Sequence, residues 1–314
     1  MTPITTCITH NGGFLVIEDR STALLAKATE TAVLAPRCNV ITLTSGANTI
    51  ALPYINETSR ATGSRWGGVR VYRRDESATV TASKPKFGEL NIKAENLMGL
   101  AYASEELLAD AGAMESIFTN AFTSEFAFVL DDEIFRGDGV GKCLGIISAA
   151  CLVSTAKETG QAADTIVTQN VMKMYSQMPA RNKRNAIWLI NSEIVPQLMQ
   201  MSLDVGVGGV PVYLPPGGLS VAPYGSLFGR PVIEIEHASA IGDLGDIVFA
   251  DMGEYLLVRK GGLNGAQSMH VKFIYNEMTF RWTMRVNGQP SWASAVTQYK
   301  GTPTKSPSVA LAAR

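Results

Sequence analysis

Residues that carry chemistry are scarce in this sequence, which has four cysteines and three histidines in 314 residues. Cys7, Cys38, Cys143 and Cys151 form no Cys-x-x-Cys pair and have no histidine at zinc-ligand spacing. Disulfide frameworks belong to short, cysteine-rich secreted domains, so four reduced thiols in a cytosolic product are expected. His10, His237 and His270 stand alone, and a lone histidine is ordinarily a surface or satisfied core residue. The signatures Gly-x-Ser-x-Gly, His-Glu-x-x-His and Gly-x-Gly-x-x-Gly are missing. No catalysis, cofactor or metal is therefore expected. No apolar run approaches the roughly 18 residues of a membrane span, and residues 1–20 lack the basic start and apolar core of a signal peptide. A soluble intracellular chain without membrane contact is expected.

Neither sign of charge is in excess. Lys and Arg number 27 against 28 Asp and Glu, a net of −1, which argues against a chain whose whole body clamps nucleic acid. Segment by segment, the balance breaks. Residues 60–86 carry seven basic side chains (Arg60, Arg65, Arg70, Arg73, Arg74, Lys84, Lys86) against Asp75 and Glu76, a net of +5. Residues 104–136 are the reverse: eight acids, with Glu105, Glu106, Asp110 and Glu115 leading, stand against Arg136 alone, a net of −7.

Those acids lie on the strongest helical pattern in the chain. Ser104 with Glu105 and Glu106 makes a good helix start, since a cap oxygen and early acids satisfy open N–H groups. Leu107, Ala111, Met114, Phe118, Phe122, Phe126, Val129 and Leu130 then recur at helical spacing. A continuous helix over 104–136 would be about 50 Å long. Gly137, Asp138 and Gly139 end it. The run Gly137–Cys143 superficially resembles a phosphate loop, but Arg136 and Cys143 stand where that motif needs Gly and a hydroxyl. The segment also follows a helix where the motif follows a strand, so a helix-terminating turn is the favoured reading.

Before this helix the pattern is extended. Val69 and Val71 alternate with Arg70 and Tyr72, and Leu90, Ile92 and Ala94 with Asn91, Lys93 and Glu95. A long two-stranded excursion is expected, with little core of its own and a need for something to lie against. Three readings of its charge are open. It is merely solvated; it binds nucleic acid, although aromatic interleaving is limited to Trp66 and Tyr72 before Phe87; or it lies on an acidic surface. The −7 helix of a neighbouring copy offers such a surface, and opposite charges on separate surfaces of one chain favour a heterologous contact.

Elsewhere, a helix is expected over 21–34, stopped by Pro36, and another over 165–178 capped by Asp164. Strands are expected at 186–190, 231–235, 255–258, 269–275 and 279–286, a second short helix at 193–201, and an extended Gly/Pro loop at 205–218. The tail from Gly301 reads as mobile.

The order of these parts resembles the major capsid proteins of tailed bacteriophages, a fold shared with encapsulins and the herpesvirus capsid floor. The stretches that carry the likeness are Arg73–Ser77 through Lys84–Leu90, then Ala103–Asp110, then Phe135–Gly139 with Leu144–Ile146, and finally Ser226–Val232. Each is modest alone, and their order makes the match over about residues 40–298.

The resemblance implies an α+β capsid fold. Its parts would be an N-terminal arm (1–40), a peripheral domain (41–53, 97–148 and 252–300) with a spine helix over 104–136, an extended hairpin loop (54–96), an axial domain (149–251) and a flexible tail (301–314). It implies self-assembly through pentamers and hexamers into an icosahedral shell around double-stranded DNA, held non-specifically, in a virion assembled in the host cytoplasm. Separate scaffold, portal and decoration proteins would be partners. Arg65, Arg70, Arg73, Arg74, Lys84 and Lys86 would make hairpin contacts to a neighbour, with Glu105, Glu106, Asp110 and Glu115 on the opposing spine surface. Some family members crosslink a hairpin lysine with help from a glutamate; Lys84 lies at a comparable place, but Phe280 stands at the matched glutamate position, so no self-crosslink is expected. An encapsulin-type nanocompartment shell is the first alternative, and a nucleotide-binding or hydrolytic enzyme using the Gly137 turn the second.

Overall fold

The computed structural model describes residues 32–44, 46–77, 79–106, 114–205, 208–216 and 225–314. The helix expected over 21–34 falls almost wholly outside them, and residues 32–34 are not helical. Strand β1 (Asn39–Thr42) leads to β2 (Thr49–Ile55), and a long excursion separates β2 from β3 (Phe87–Lys93). Strand β4 (Glu95–Ser104) precedes helix α1 (Met114–Arg136). Then follow β5 (Val153–Thr155), α2 (Thr168–Gln177), β6 (Ile187–Ile190), α3 (Val195–Gln200), β7 (Ser202–Val205), β8 (Gly208–Pro211) and β9 (Tyr213–Leu214). The chain continues through β10 (Ser226–Leu227), β11 (Arg230–Glu234) and β12 (Ile247–Ala250) into two long strands, β13 (Tyr255–Lys272) and β14 (Glu277–Pro290). Short strands β15 (Val296–Thr297), β16 (Thr304–Lys305) and β17 (Ser308–Leu311) close it.

Two sheets organise these elements. A seven-stranded sheet has the order β5-β17-β12-β6-β11-β10-β9, and a four-stranded one the order β1-β13-β14-β4. In the larger sheet both faces are covered, which is why Ile187–Ile190, Ile247–Ala250 and Ser308–Leu311 are buried at every position. Trp188, Ile190, Phe249, Val309 and Leu311 turn to one face, where Val171, Met174 and Met178 of α2 and its flank meet them. Ile187, Leu189, Val248, Ala250 and Ala310 turn to the other. There they meet Leu130, Ile134 and Phe135 from the end of α1, and Leu257 and Val286 of the smaller sheet. The end of α1 is thus the wedge between the two sheets.

The expected strands at 186–190 and 231–235 are found as β6 and β11, and those at 255–258 and 279–286 lie in β13 and β14. Of the strand expected at 269–275 only 269–272 is formed, in β13, and Phe273–Tyr275 is a 3-10 turn that joins the two strands. Three further expectations need correction. The tail is not free: β17 lies between β12 and β5, and Val309, Ala310 and Leu311 are fully buried. Its Ser/Ala composition reads as mobile, but small side chains are what a slot between two strands admits. The stretch at 205–218 holds the last residue of β7, all of β8, which pairs with β7, and β9. Asp164 does not cap α2; the Asn170 side chain accepts the Val167 N–H at 3.1 Å instead.

Cys38, Cys143 and Cys151 are buried free thiols. Burial pushes Cys38 up to about 12 and Cys151 to about 11, and raises Cys143 as well, so all three stay protonated near neutral pH.

Candidate assembly interface

The excursion between β2 and β3 owes its shape to a register jump. In the β2–β3 ladder Thr49 faces Lys93 and Ile55 faces Phe87, so each pair of numbers adds to 142. The Asn56 N–H donates to the Lys86 carbonyl at 2.9 Å and keeps that sum. On its other edge Lys86 donates its N–H to the Gly67 carbonyl at 2.9 Å, and Arg70 N–H reaches Ser83 Oγ at 3.0 Å; both sums are 153. The outgoing leg therefore holds an extra 57–67 segment that knots at the root. There Arg60 N–H donates to the Thr297 carbonyl at 2.8 Å, Thr297 N–H to Thr58 at 3.1 Å, and Gly68 N–H to Ser64 Oγ at 2.9 Å. Beyond the root the legs run side by side to a turn at Glu76–Ser77.

The strand expected around Val69–Tyr72 is not formed. Val71 is 95% exposed and the legs share hardly any ladder bonds, so the alternation has no buried face to specify it. Gly67 is the hinge of the root. Its φ is +56°, and a Cβ there would lie 2.8 Å from the Lys86 carbonyl oxygen. Gly67→Ala is expected to open the root at a local cost of about 1–3 kcal/mol. Tryptic cleavage at Arg73–Arg74 should then accelerate severalfold while the melting temperature of the body barely moves.

The predicted basic residues divide accordingly. Arg65 is exposed at the root; Arg70, Arg73 and Arg74 are exposed on the outgoing leg, and Lys84 and Lys86 on the return. The tip carries Asp75 and Glu76, both exposed.

Helix α1 runs about 34 Å over its 23 residues, and residues 105–106 are helical as well. Glu105 and Glu106 are exposed; Asp110 falls outside the described residues, and Glu115 lies in the first turn of α1. Phe122 stacks on Trp282 at 4.2 Å, and Phe118 meets Phe280 at 5.8 Å, which lays the helix on the smaller sheet. Phe280 is thus a core residue. Val129, expected in the apolar stripe, is exposed, because the stripe drifts toward Phe126, Leu130 and Ile134.

Two of the acids are not surface charge. Asp131 is buried and accepts the N–H groups of Val33, Leu34 and Ala35 at 2.5, 3.0 and 2.9 Å, which fastens the end of the arm to the helix. Glu133 accepts the Cys143 N–H at 3.3 Å. Spacing was the available signal for Asp131, which sits four residues before the buried Phe135. Among the described residues the outer acids of this region are Glu105, Glu106, Glu125 and Asp132.

The turn at Gly137, Asp138 and Gly139 is a knot on the helix end. Gly137 N–H donates to Glu133, Gly145 N–H to Gly137, Ile146 N–H to Ile134 and Ile147 N–H to Phe135, so the last carbonyls of α1 are satisfied. A Cβ at Gly137 would collide with the Cys143 carbonyl at 2.0 Å. Asp138 accepts the Val140 N–H at 2.9 Å, which holds its carboxyl below the usual range, and lies 3.4 Å from Lys142. The N–H groups of Gly137, Gly139, Val140 and Cys143 are thus already engaged within the turn.

At the far end of the β13–β14 ribbon, Phe273, Ile274 and Tyr275 are exposed, Ile274 by 93%. Among the described residues, the apolar ribbon tip, the basic excursion and the outer acids of the α1 region are thus exposed. Among the described residues no group of His, Cys, Asp and Glu is placed to hold a metal, and no helix is long and apolar enough to cross a membrane.

The model of the family described as Phage capsid family matches residues 12–301. The chain belongs to the phage capsid family. Its fold is mixed α+β, with few helices and many strands. The capsid chain is similar to the capsid of a native GTA particle at 19% identity, with 98% of this chain and 99% of that one covered and a TM-score of 0.77. The capsid of the empty GTA particle matches at 19% identity, the same coverage and a TM-score of 0.71. A structure from Microbacterium phage Oxtober96 matches at 14% identity over 99% of both chains, TM-score 0.67. No curated protein matches the chain by sequence. The family's role is structural, in agreement with the scarcity of catalytic groups.

Proposed function

We propose that this chain is the major capsid protein of a tailed phage or phage-like particle, assembling through pentamers and hexamers into an icosahedral shell around double-stranded DNA. The observation that carries this is the family match over residues 12–301, on a chain whose described residues expose an apolar tip, a basic excursion and an acidic helix surface. In this reading α1 is the spine, and the four-stranded sheet with α1 forms the peripheral domain. The seven-stranded sheet with α2 and α3 forms the axial domain, with β17 added to it from the end of the chain. The excursion reaches over a neighbouring copy, with Arg70, Arg73, Arg74, Lys84 and Lys86 facing the acids of that copy's α1. DNA contact is non-specific, which suits a net charge of −1. Scaffold, portal and decoration proteins are further partners, and the shell forms in the host cytoplasm.

Electron microscopy of the purified protein over a range of concentration and salt tests this. Uniform closed shells are expected. Monomers under every condition would sink the reading.

A further inference from the structure

The root of the excursion borders a cleft with a charge of its own. A cavity of about 290 Å³ lies between the knot and the 292–305 segment, lined by Arg60, Arg65 and Lys305 with Trp292 and Tyr299. No carboxylate lines it. Arg60 meets Glu57 at 2.9 Å through Nη2, but its buried Nε has no partner. Arg65 has no acidic partner among the described residues, and Lys300 lies over the Tyr299 ring at 4.8 Å. Burial and the Lys305 charge hold the nearby Lys183 below its usual value, so the positive field extends past the rim.

Glu57, the acid nearest in sequence, is already held by Arg60; the next along the excursion are Asp75 and Glu76, and their own copy holds them away. Gly67 and Lys86 are joined at the root, Arg70 and Ser83 are joined along the legs, and the turn falls at Glu76–Ser77. From Gly67 to Glu76 nine residues reach at most about 30 Å, and the side-by-side legs point the tip away from the root.

We propose that this cleft receives the Asp75–Glu76 tip of a second copy. The proposal rests on the shell reading and deepens it. Sign changes once along the excursion, from an acidic tip to basic legs and a basic root, while α1 is acidic. A tip in the neighbour's root sets the legs free to run along the neighbour's acidic helix. A slip toward either end brings like charges together, so the pattern fixes how far one copy slides on the next. Root-to-tip contact is heterologous, and such contacts repeat around a ring.

Mixed ¹⁴N- and ¹⁵N-labelled full-length protein, treated with a zero-length carbodiimide during assembly, tests this. Peptides joining Asp75 or Glu76 to Lys305 or Lys300 and carrying both labels are expected. Asp75→Asn/Glu76→Gln, at two exposed positions, should remove them and raise the threshold concentration for assembly about tenfold. Asp75→Lys/Glu76→Lys should assemble worse still, and Arg65→Glu/Lys305→Glu added to it should restore assembly. Wild-type shells in which the tip acids couple elsewhere, or a neutral tip that assembles at the wild-type threshold, would overturn the proposal and leave the shell reading standing. So would loss of DNA binding in Arg65→Glu/Lys305→Glu shells alongside a neutral tip that behaves normally, since the cleft would then be a phosphate site. Wild-type protein that stays monomeric would overturn the shell reading itself.

Discussion

Arg314→Ala is expected to lower the unfolding free energy by about 3–5 kcal/mol, although it changes a residue in a segment whose composition reads as a loose tail. The side chains of Arg314 and Asp246 are both fully buried, with Nη2 2.5 Å from Oδ2. Asp246 also accepts the N–H groups of Gly242 at 3.1 Å and Ile247 at 2.7 Å, and Arg314 donates its own N–H to the Gly242 carbonyl at 2.8 Å. Its Nε reaches the Thr165 carbonyl, so one side chain ties the start of α2 to the turn before β12. Removing the guanidinium leaves a buried carboxylate with no counter-charge, which is the costly way to break such a pair. Asp246→Asn/Arg314→Met leaves no bare charge and should recover part of the loss. Urea unfolding of the wild type, Asp246→Asn, Arg314→Met and the double variant, at one protein concentration and neutral pH, gives the coupling; a loss under about 1 kcal/mol for Arg314→Ala would show the pair to be incidental.

That segment illustrates what could and could not be read from sequence. Ile187–Ile190 and the ribbon stretches at 255–258 and 279–286 were legible, because runs of large β-branched and aromatic residues admit few other environments, whereas the Gly-rich middle of β13 carries no such run. Helix α1 was legible from its spacing. β17 was not, since Ser308, Val309, Ala310 and Leu311 carry no period and their burial comes from strands more than 50 residues away. The Val69–Tyr72 alternation failed for the opposite reason: a period was present, but no layer lies against it. For the interface, the signs of charge were visible and the directions of the side chains were not. Eight acids counted over 104–136 include Asp131 and Glu133, which turn inward to hold the arm and the post-helix turn. Arg60 and Arg65 belong to the root, which only the jump in register reveals.

These corrections shrink the two opposite charges and so sharpen the second large prediction, that Arg70→Glu/Arg73→Glu/Arg74→Glu raises the threshold concentration for shell formation steeply. Residues 68–86 hold five basic side chains against two acidic, and the described outer acids of the helix region are Glu105, Glu106, Glu125 and Asp132. One exposed pair contributes about 0.2–1 kcal/mol, so a single substitution would be lost in the total. Three reversals replace attraction by repulsion at three positions, a swing on the order of 2–5 kcal/mol per copy. That corresponds to about a 30-fold to several-thousand-fold rise in threshold concentration. The side chains are exposed and lie outside every core cluster, so the monomer should melt at the wild-type temperature. Salt supplies the internal control. Rising ionic strength screens the attraction in the wild type and the repulsion in the variant, so their thresholds should converge. Sedimentation of both proteins between 0.05 and about 1 M salt reads this out, with a Debye length falling to about 3 Å at the upper end. Wild-type thresholds in the variant at low salt would show that the excursion is held by its apolar residues and that its charge is only solvated.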